Sequence, residues 1–382
     1  MEPIPPQPGN LRDPRYFVGR RRTTEQARER LLAGASLSLS DPRRMGKTYW
    51  MYYFATTQDK VFNPFIIDYE GVYTIEDFLR RTAERLGSSR RLPSSARKAM
   101  TLLFDSIDSV SIAGMATVKS YHRQTSSLTL LERTLRTLDT GGRTTPLVMM
   151  DEVPLAVGNI ATRQGADVAA ELLQTLRALR QGTTRVRWVV AGSVGFHHVL
   201  RTAGATEGEL NDLESLALGP LQQEEAEELA TRLLLGVRAT PEQGTVAELV
   251  SLTSGIPFLL HKVAALIDQQ GLRSLDKEQV RECFEDFIDD PDEFGWFGHL
   301  LTRVDRYYGQ DTDTAQRILD SALRHDSSWT TVDDLPQAPG TMKVIDALVS
   351  DHYLEARGRS VRWRYPALAY IWARRRRTWD RP

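Results

Sequence analysis

The run Asp41-Pro-Arg-Arg-Met-Gly-Lys-Thr48 carries the strongest chemistry in the sequence. Backbone N–H groups curled at a glycine can cradle phosphates, a lysine can reach their oxygens, and a hydroxyl can ligate Mg²⁺. Gly46, Lys47 and Thr48 match the end of G-x-x-x-x-G-K-[ST], and Asp41 stands where that pattern has its first glycine. A Gly-Lys-Thr triplet alone also fits an ordinary turn, so its setting between a strand and a helix decides the reading. Further along, PLVMMDE is an apolar run that delivers Asp151 and Glu152 to its carboxyl end. An acidic residue there can hold the Mg²⁺ shell, and the next carboxylate can polarise an attacking water. A third apolar run, VRWVVAGS, ends at Ser193, a hydroxyl suited to sensing a γ-phosphate from a neighbouring strand. His197 and His198 follow, with no carboxylate or cysteine at metal-ligand spacing, and a structural role fits them best.

These groups need elements to position them. TTEQARERLLAG (Thr23 to Gly34) predicts a helix with a glycine stop, and ASLSLSD predicts a strand by its alternation of leucine and serine. Tyr49 to Thr57 reads as a helix, Pro64 to Gly71 as a buried strand, and IEDFLRRTAERLG as an amphipathic helix. Within residues 88–127, SSRRLPSSARK is loop-like and SVSIAGMATVKS fits a strand pair. LTLLERTLRTLDTGG and VAAELLQTLRALRQG read as helices. Strands alternating with helices imply an α/β fold with a parallel sheet, because parallel strands need crossover connections.

From about Leu218 the pattern becomes wholly helical, with no strand candidate before Pro291, which predicts a helical lid. After it, TAQRILDSALRH and TMKVIDALVSD predict helices, and YLEARGRSVRWRYP predicts a hairpin turning at Arg357–Ser360. Helices followed by a two-stranded wing form the winged-helix pattern. The expected division is a mobile, extended Pro-rich lead-in over 1–15, a core over 16–217, a lid over 218–292 and a winged helix over 293–382.

The chain has 382 residues, 41% hydrophobic and 26% charged, which is enough apolar material for packed cores. A formal net charge of −1 argues against coating nucleic acid by bulk charge. One cysteine, Cys283, excludes an internal disulfide framework. No apolar window or signal-peptide layout is evident, so a cytoplasmic location is expected, with no membrane partner.

Charge is nonetheless uneven. Glu207 to Glu228 holds eight acidic residues and no Lys or Arg, which reads as a solvated acidic face. From Tyr353 onward nine arginines face two acids, with Trp363, Tyr365 and Trp372 interleaved. A basic wing can grip phosphates of duplex DNA. The alternative is a packed helix, YPALAYIWARRRR, whose arginines keep it soluble. Arg177 and Arg180, ahead of the Ser193 strand, and Arg201 after it are candidates for an arginine finger donated across a homo-oligomer interface, each also explicable as a helix charge.

FVGR (Phe17 to Arg20), PRRMGKT, IDYEG, MMDEVP, LRALRQ, AGSVG, NDLESLALGPL and WRYPALAYIW together resemble, in one order over residues 16 to 377, the archaeal-ATPase branch of the STAND class of AAA+-related P-loop ATPases. The resemblance implies an ASCE-type ATPase core, a helical lid and a C-terminal winged helix, with ATP and Mg²⁺ as cofactors. It implies that Phe17, Val18, Gly19 and Arg20 contact the adenine side, and that Pro42, Arg43, Arg44, Met45, Gly46, Lys47, Thr48 and Tyr49 form the phosphate loop. Lys47 and Thr48 would be the Walker A lysine and Mg²⁺ ligand, Asp151 and Glu152 the Walker B pair, and Ser193 the sensor. Ser254 to Leu260 looks like the nucleotide-facing motif of the lid, with Pro257 at its centre. Asp41 repels phosphate unless it turns outward, toward a partner such as Arg43 or Arg44. Three functions fit this set: an ATP-driven switch that presents the winged helix, a DNA-binding ATPase of origin-recognition or transposition-regulator type, and a nucleotide sensor with little turnover.

Overall fold

The computed structural model describes residues 1–9, 12–88, 97–98, 100–101, 128–129, 131–132, 135–139, 143–193, 195–205, 207–323 and 328–379. The strand pair expected within 88–127 lies outside the described residues, and the described parts of 128–139 are helical. By contact the chain forms two units: residues 21–40 and 47–217 make one, and residues 1–20, 41–46 and 218–382 make the other.

The first unit is a five-stranded parallel sheet with helices. In chain order it comprises α1 (Arg21–Ala33), β1 (Ser36–Leu39), α2 (Lys47–Thr57), β2 (Phe62–Asp68), α3 (Ile75–Gly87), β3 (Thr145–Asp151), α4 (Val153–Gln164), α5 (Ala166–Gly182), β4 (Arg187–Ala191), α6 (Phe196–Thr202) and β5 (Leu213–Ser215). The spatial order is β2-β3-β4-β1-β5, so β4 lies between the strand that precedes the Gly-Lys-Thr triplet and the strand that ends at Asp151. β3 is buried from Pro146 to Asp151, as a parallel strand covered on both faces must be. Its register pairs Asp68 of β2 with Asp151, which brings two carboxylates to the same sheet end.

The helices form where the sequence supplies both a cap and a face. Thr74 accepts the Asp77 N–H at 3.1 Å, Glu76 and Asp77 occupy the positive first turn of α3, and Phe78, Leu79 and Leu86 are buried. Phe78 stacks on Tyr69 with ring centroids 4.0 Å apart, and burying such a ring contributes roughly 1.5–3 kcal/mol. α4 is an element the sequence pattern hides, since it contains Pro154 and Gly158. Pro154 sits in the first turn, the one helical place where a missing N–H costs nothing.

The second unit holds α7 (Gln223–Gly236), β6 (Thr240–Pro241), α8 (Thr245–Thr253), α9 (Pro257–Gln269), β7 (Ser274–Leu275), α10 (Lys277–Asp289), α11 (Pro291–Tyr307), α12 (Thr312–Ser321), β8 (Thr330–Thr331), α13 (Thr341–Ser350), β9 (Leu354–Arg357), β10 (Ser360–Trp363) and α14 (Pro366–Trp379). β8, β10 and β9 form an antiparallel sheet whose β9–β10 turn falls at Gly358, φ +58°, as the hairpin reading expects. The region expected to lack strands contains the β6–β7 ladder, which pairs Thr240 with Ser274 and Pro241 with Leu275. Two residues per strand are too few to show period-2 alternation.

Of the described residues of the Pro-rich lead-in, Pro14 and Arg15 enter a 3₁₀ turn that runs to Tyr16, and the stretch around Ile4 is seated and not loose. Ile4 is fully buried, its N–H donates to the Arg232 carbonyl at 2.9 Å, and Arg232 Nε donates to the Glu2 carbonyl. Gly236 makes room, because a Cβ there would stand 2.0 Å from the Ile4 carbonyl oxygen. The Gln7 N–H donates to His261 Nδ1 at 3.2 Å, and burial pushes that imidazole down to about 4, which keeps the ring nitrogen an acceptor. A single apolar side chain among prolines, with a matching glycine on a distant helix, outweighs the tendency of such a segment to stay solvated.

Candidate active site at the carboxyl end of the parallel sheet

α2 begins at Lys47, directly after Gly46. Arg44 and Gly46 both have positive φ, +75° and +86°, and a Cβ on Gly46 would meet nothing within 4 Å. Such alternation turns successive N–H groups to one side, and the start of α2 adds its own unbonded N–H groups and positive dipole end. Lys47 is buried in the first turn, and Trp50, Met51 and Phe54 anchor the same helix in the core, with Trp50 Nε1 donating to Thr24 Oγ1 at 3.1 Å.

The next residue reaches the acidic strand end. Thr48 Oγ1 donates to Asp151 Oδ2, a contact across 103 positions of sequence. Asp151 is 2% exposed, and its other oxygen accepts the Glu152 N–H at 3.0 Å. Burial, and then the Glu152 carboxylate beside it, push the Asp151 carboxyl up to about 6, while Thr48 and Lys47 pull the other way. Asp68 adds to the upward push.

Glu152 is left-handed, φ +54°, at the cap of α4, a conformation uncommon for a residue with a side chain. It turns the carboxylate toward the following strand, where Ser193 Oγ donates to Glu152 Oε2 at 2.9 Å and the Ser193 N–H lies 3.3 Å from the same oxygen. Gly192 permits this approach. A Cβ there would lie 2.4 Å from the Pro154 ring, and its N–H donates to the Leu39 carbonyl. Ser193 stands two residues past the end of β4, where the sequence pattern carried the strand to Ser193 itself.

Lys47, Thr48, Asp151, Glu152 and Ser193 therefore belong to one unit and end on one edge of its sheet, and Thr48, Asp151, Glu152 and Ser193 are hydrogen-bonded in a chain. Hydroxyl and carboxylate oxygens form the donor set that a hard divalent cation takes. A buried aspartate beside two further carboxylates is the environment in which such a cation offsets the most charge. The residues fit Mg²⁺. Sequence reasoning missed Asp68 as part of this set; the signal was the parallel placement of Asp68 and Asp151 after apolar runs of the same kind.

Other expected positions have different surroundings. Arg180 is buried, with Nε 2.6 Å and Nη2 2.9 Å from the two Asp212 oxygens and Nη2 also donating to the Glu209 carbonyl. This bidentate pair holds the Arg180 guanidinium within its own unit. Arg177 is partly exposed and makes only long contacts, 3.4 Å to Asn211 and 3.9 Å to Glu209. Arg201 Nη2 lies 3.2 Å from His198 Nδ1, and the two histidine rings are 4.0 Å apart.

In the other unit, Arg20 is buried with φ +58°, and its guanidinium donates to the carbonyls of Leu218, Gly219 and Met45 at 2.5–2.8 Å. Those three carbonyls hold the side chain in place. Gly19 lies against Glu225, which a Cβ would meet at 2.7 Å. Val18 is buried and Phe17 half-buried. Asp41 accepts the N–H groups of Leu218 at 2.7 Å and Gly219 at 2.9 Å, which turns its carboxylate to backbone amides. Pro42 and Met45 are buried, Arg43 is half-buried, and Arg44 lies over the Phe258 ring at 4.6 Å. Pro257 opens α9 beside that ring. Tyr49 is half-buried on α2 in the first unit.

The C-terminal arginines are largely engaged. Arg374 bonds both oxygens of Asp289 at 2.8 and 2.5 Å and lies 3.2 Å from Glu285. Arg376 pairs with Asp320, Arg359 with Asp333, and Arg362 with Glu355. The packed-helix reading of YPALAYIWARRRR accounts for the contacts of Arg374 and Arg376. Trp372 Nε1 donates to Asp320 at 2.7 Å and Trp363 Nε1 to the Leu319 carbonyl, so the interleaved aromatics are buried with their polar tips satisfied.

The Walker-type ATPase PABY2304 of Pyrococcus abyssi has a similar structure, with a TM-score of 0.60 and 15% identity over 98% of this chain and 99% of that one. This chain has the fold of a P-loop ATPase. The ORC2 protein of Aeropyrum pernix, solved as ADPNP–ADP complexes, aligns at a TM-score of 0.49 and 12% identity over 100% of this chain and 98% of that one. The RuvB Holliday junction branch migration motor of Thermotoga maritima aligns at 0.41 and 10% over 91% and 92%. No family model matches the chain, and no curated protein matches it. Among the described residues no helix is long and apolar enough to cross a membrane.

Proposed function

We propose that this protein binds and hydrolyses ATP as a molecular switch of the STAND and AAA+ kind. The contact from Thr48 to Asp151, with Glu152 held beside it by Ser193, is the observation that carries the reading. Lys47 and the amides that follow Gly46 bind phosphate oxygens. Thr48 and Asp151 would hold Mg²⁺, which supplies charge neutralisation at the β- and γ-phosphates. Glu152 accepts a proton from the attacking water as its oxygen bonds to the γ-phosphorus and the bond to the ADP oxygen breaks. Ser193 keeps Glu152 in place until a γ-phosphate competes for its hydroxyl.

The switch reading draws on chain organisation. Loop residues 41–46 count with the unit that contains α7 to α14. We read residues 218–292 as the lid and residues 293–382 as a winged helix that meets a protein partner or a second copy, with Arg177, Arg180 and Arg201 as finger candidates. The paired arginines of α14 and of the β9–β10 hairpin favour a protein partner over duplex DNA.

Phosphate release from ATP by the full chain, with and without Mg²⁺, tests this. Slow Mg²⁺-dependent turnover is expected, abolished by Lys47→Ala, and Glu152→Gln is expected to retain ATP unhydrolysed. If neither change alters hydrolysis or nucleotide affinity, the reading fails. Binding to duplex DNA with a steep decline in salt would instead favour the DNA-directed function.

A further inference from the structure

Asp41 replaces the first glycine of a phosphate loop, and its surroundings say what the replacement does. The side chain is 1% exposed and takes two backbone N–H groups, those of Leu218 and Gly219. Arg20 takes the carbonyls of the same two residues and, with the same guanidinium, the carbonyl of Met45. One dipeptide is thus clasped by an anion on its donors and a cation on its acceptors. The anion is the first residue of the loop, and the cation holds the residue before Gly46. Glu225 closes the clasp from α7, since its carboxylate accepts the Arg20 N–H at 2.6 Å. The Asp41 and Glu225 carboxylates keep Arg20 cationic against its burial.

The clasped segment also leads to the C-terminal helix. The Leu221 N–H, two residues past Gly219, donates to the Gly255 carbonyl at 2.9 Å, beside Ser254. The Ala367 N–H, in the first turn of α14, donates to Ser254 Oγ at 2.8 Å, and Ser254 is held left-handed, φ +49°, shortly before Phe258, the ring under Arg44. Loop residues 41, 44 and 45 are therefore each tied to segments that also hold the start of α14. All of these residues lie in one unit.

We propose that Asp41 and Arg20 are positioning residues that couple the shape of the phosphate loop to the start of α14, an inference that rests on ATP binding at that loop. A glycine at position 41 gives a loop free to close on phosphate by itself. The carboxylate makes the loop unable to change shape without moving Leu218–Gly219, and through Leu221 the Ser254–Gly255 turn that holds Ala367. The fork of Arg20 is essential to this, because a lysine can carry the charge but not bridge three carbonyls.

Hydrogen exchange of the full chain, with and without ATP and Mg²⁺, reads the coupling. Each protein is compared at the ATP concentration that saturates it by calorimetry. Wild type is expected to show ATP-dependent slowing at the amides of Leu218, Gly219 and Ala367. In Asp41→Asn, and separately in Arg20→Lys, the slowing at Ala367 is expected to fall below half its wild-type size while slowing at the amides of α2 remains. A variant that keeps the full Ala367 response with ATP bound overturns the proposal and leaves the ATPase reading intact. Absence of ATP binding in wild type overturns the ATPase reading itself, and this inference with it. Arg20→Lys keeps the buried charge, so it guards against loss of Asp41→Asn to misfolding.

Discussion

Asp41 and Asp151 are both buried aspartates near the phosphate loop, and they differ in everything else that matters. Asp41 has two backbone amides on its oxygens and a guanidinium beside it. Asp151 has a hydroxyl and one amide, and two further carboxylates press on it. The first is an internal strut whose charge is balanced within the fold. The second carries charge that the fold leaves only partly balanced, which is what a cation seat needs. Burial alone separates neither from the other; the sign of the neighbours does.

Breaking this contrast has a ranked set of expected effects. Asp151→Asn should lower Mg²⁺-dependent ATP turnover by about a thousandfold, measured by phosphate release, with the fold intact by circular dichroism. An unchanged rate would end the distinction. Asp41→Ala should instead act on stability. It leaves Arg20 short of a counter-charge and two amides without acceptors, so denaturant melts should show a loss of about 3–5 kcal/mol.

The third effect is a pH dependence. The Asp151 carboxyl is raised from the ordinary value of 3.8 to about 6 in the fold. Its protonated form is therefore favoured by folding, and the stability it contributes is complete below about pH 4 and lost as pH rises through 6. Without a divalent cation, wild type should lose about 3 kcal/mol relative to Asp151→Asn across that window, by chemical melts at stepped pH. Mg²⁺ with ATP should reduce the difference. The smallest effect belongs to the surface: Arg374→Ala should cost about 1 kcal/mol at most and leave turnover unchanged, because its partners sit at a partly exposed face.

Much of the parallel sheet could be read from the chain, because buried parallel strands write themselves as apolar runs such as PLVMMD and WVVA. Asp151, Glu152 and Ser193 followed, since strand ends inherit the position of their strands. What escaped was short or non-local. The β6–β7 ladder has too few residues for a period, β5 is an edge of three residues, and α4 hides behind its proline and glycine. The orientation of Asp41 depends on amides 177 and 178 positions away, which no local pattern encodes. The arginine run left two readings open for a related reason: its counter-charges on α10 and α12 are remote in sequence, and only the packing of α14 joins them. The lead-in was misread because one isoleucine decides its fate, and composition averages that isoleucine away.

The central claim is that Asp151 and Thr48 form a cation seat for a bound triphosphate. Calorimetric titration of ATP, with and without Mg²⁺, into wild type and Asp151→Asn tests it most directly. Tighter ATP binding in the presence of Mg²⁺ for wild type, and no Mg²⁺ effect for the variant, is the predicted result. Equal Mg²⁺ dependence in the two proteins would contradict it.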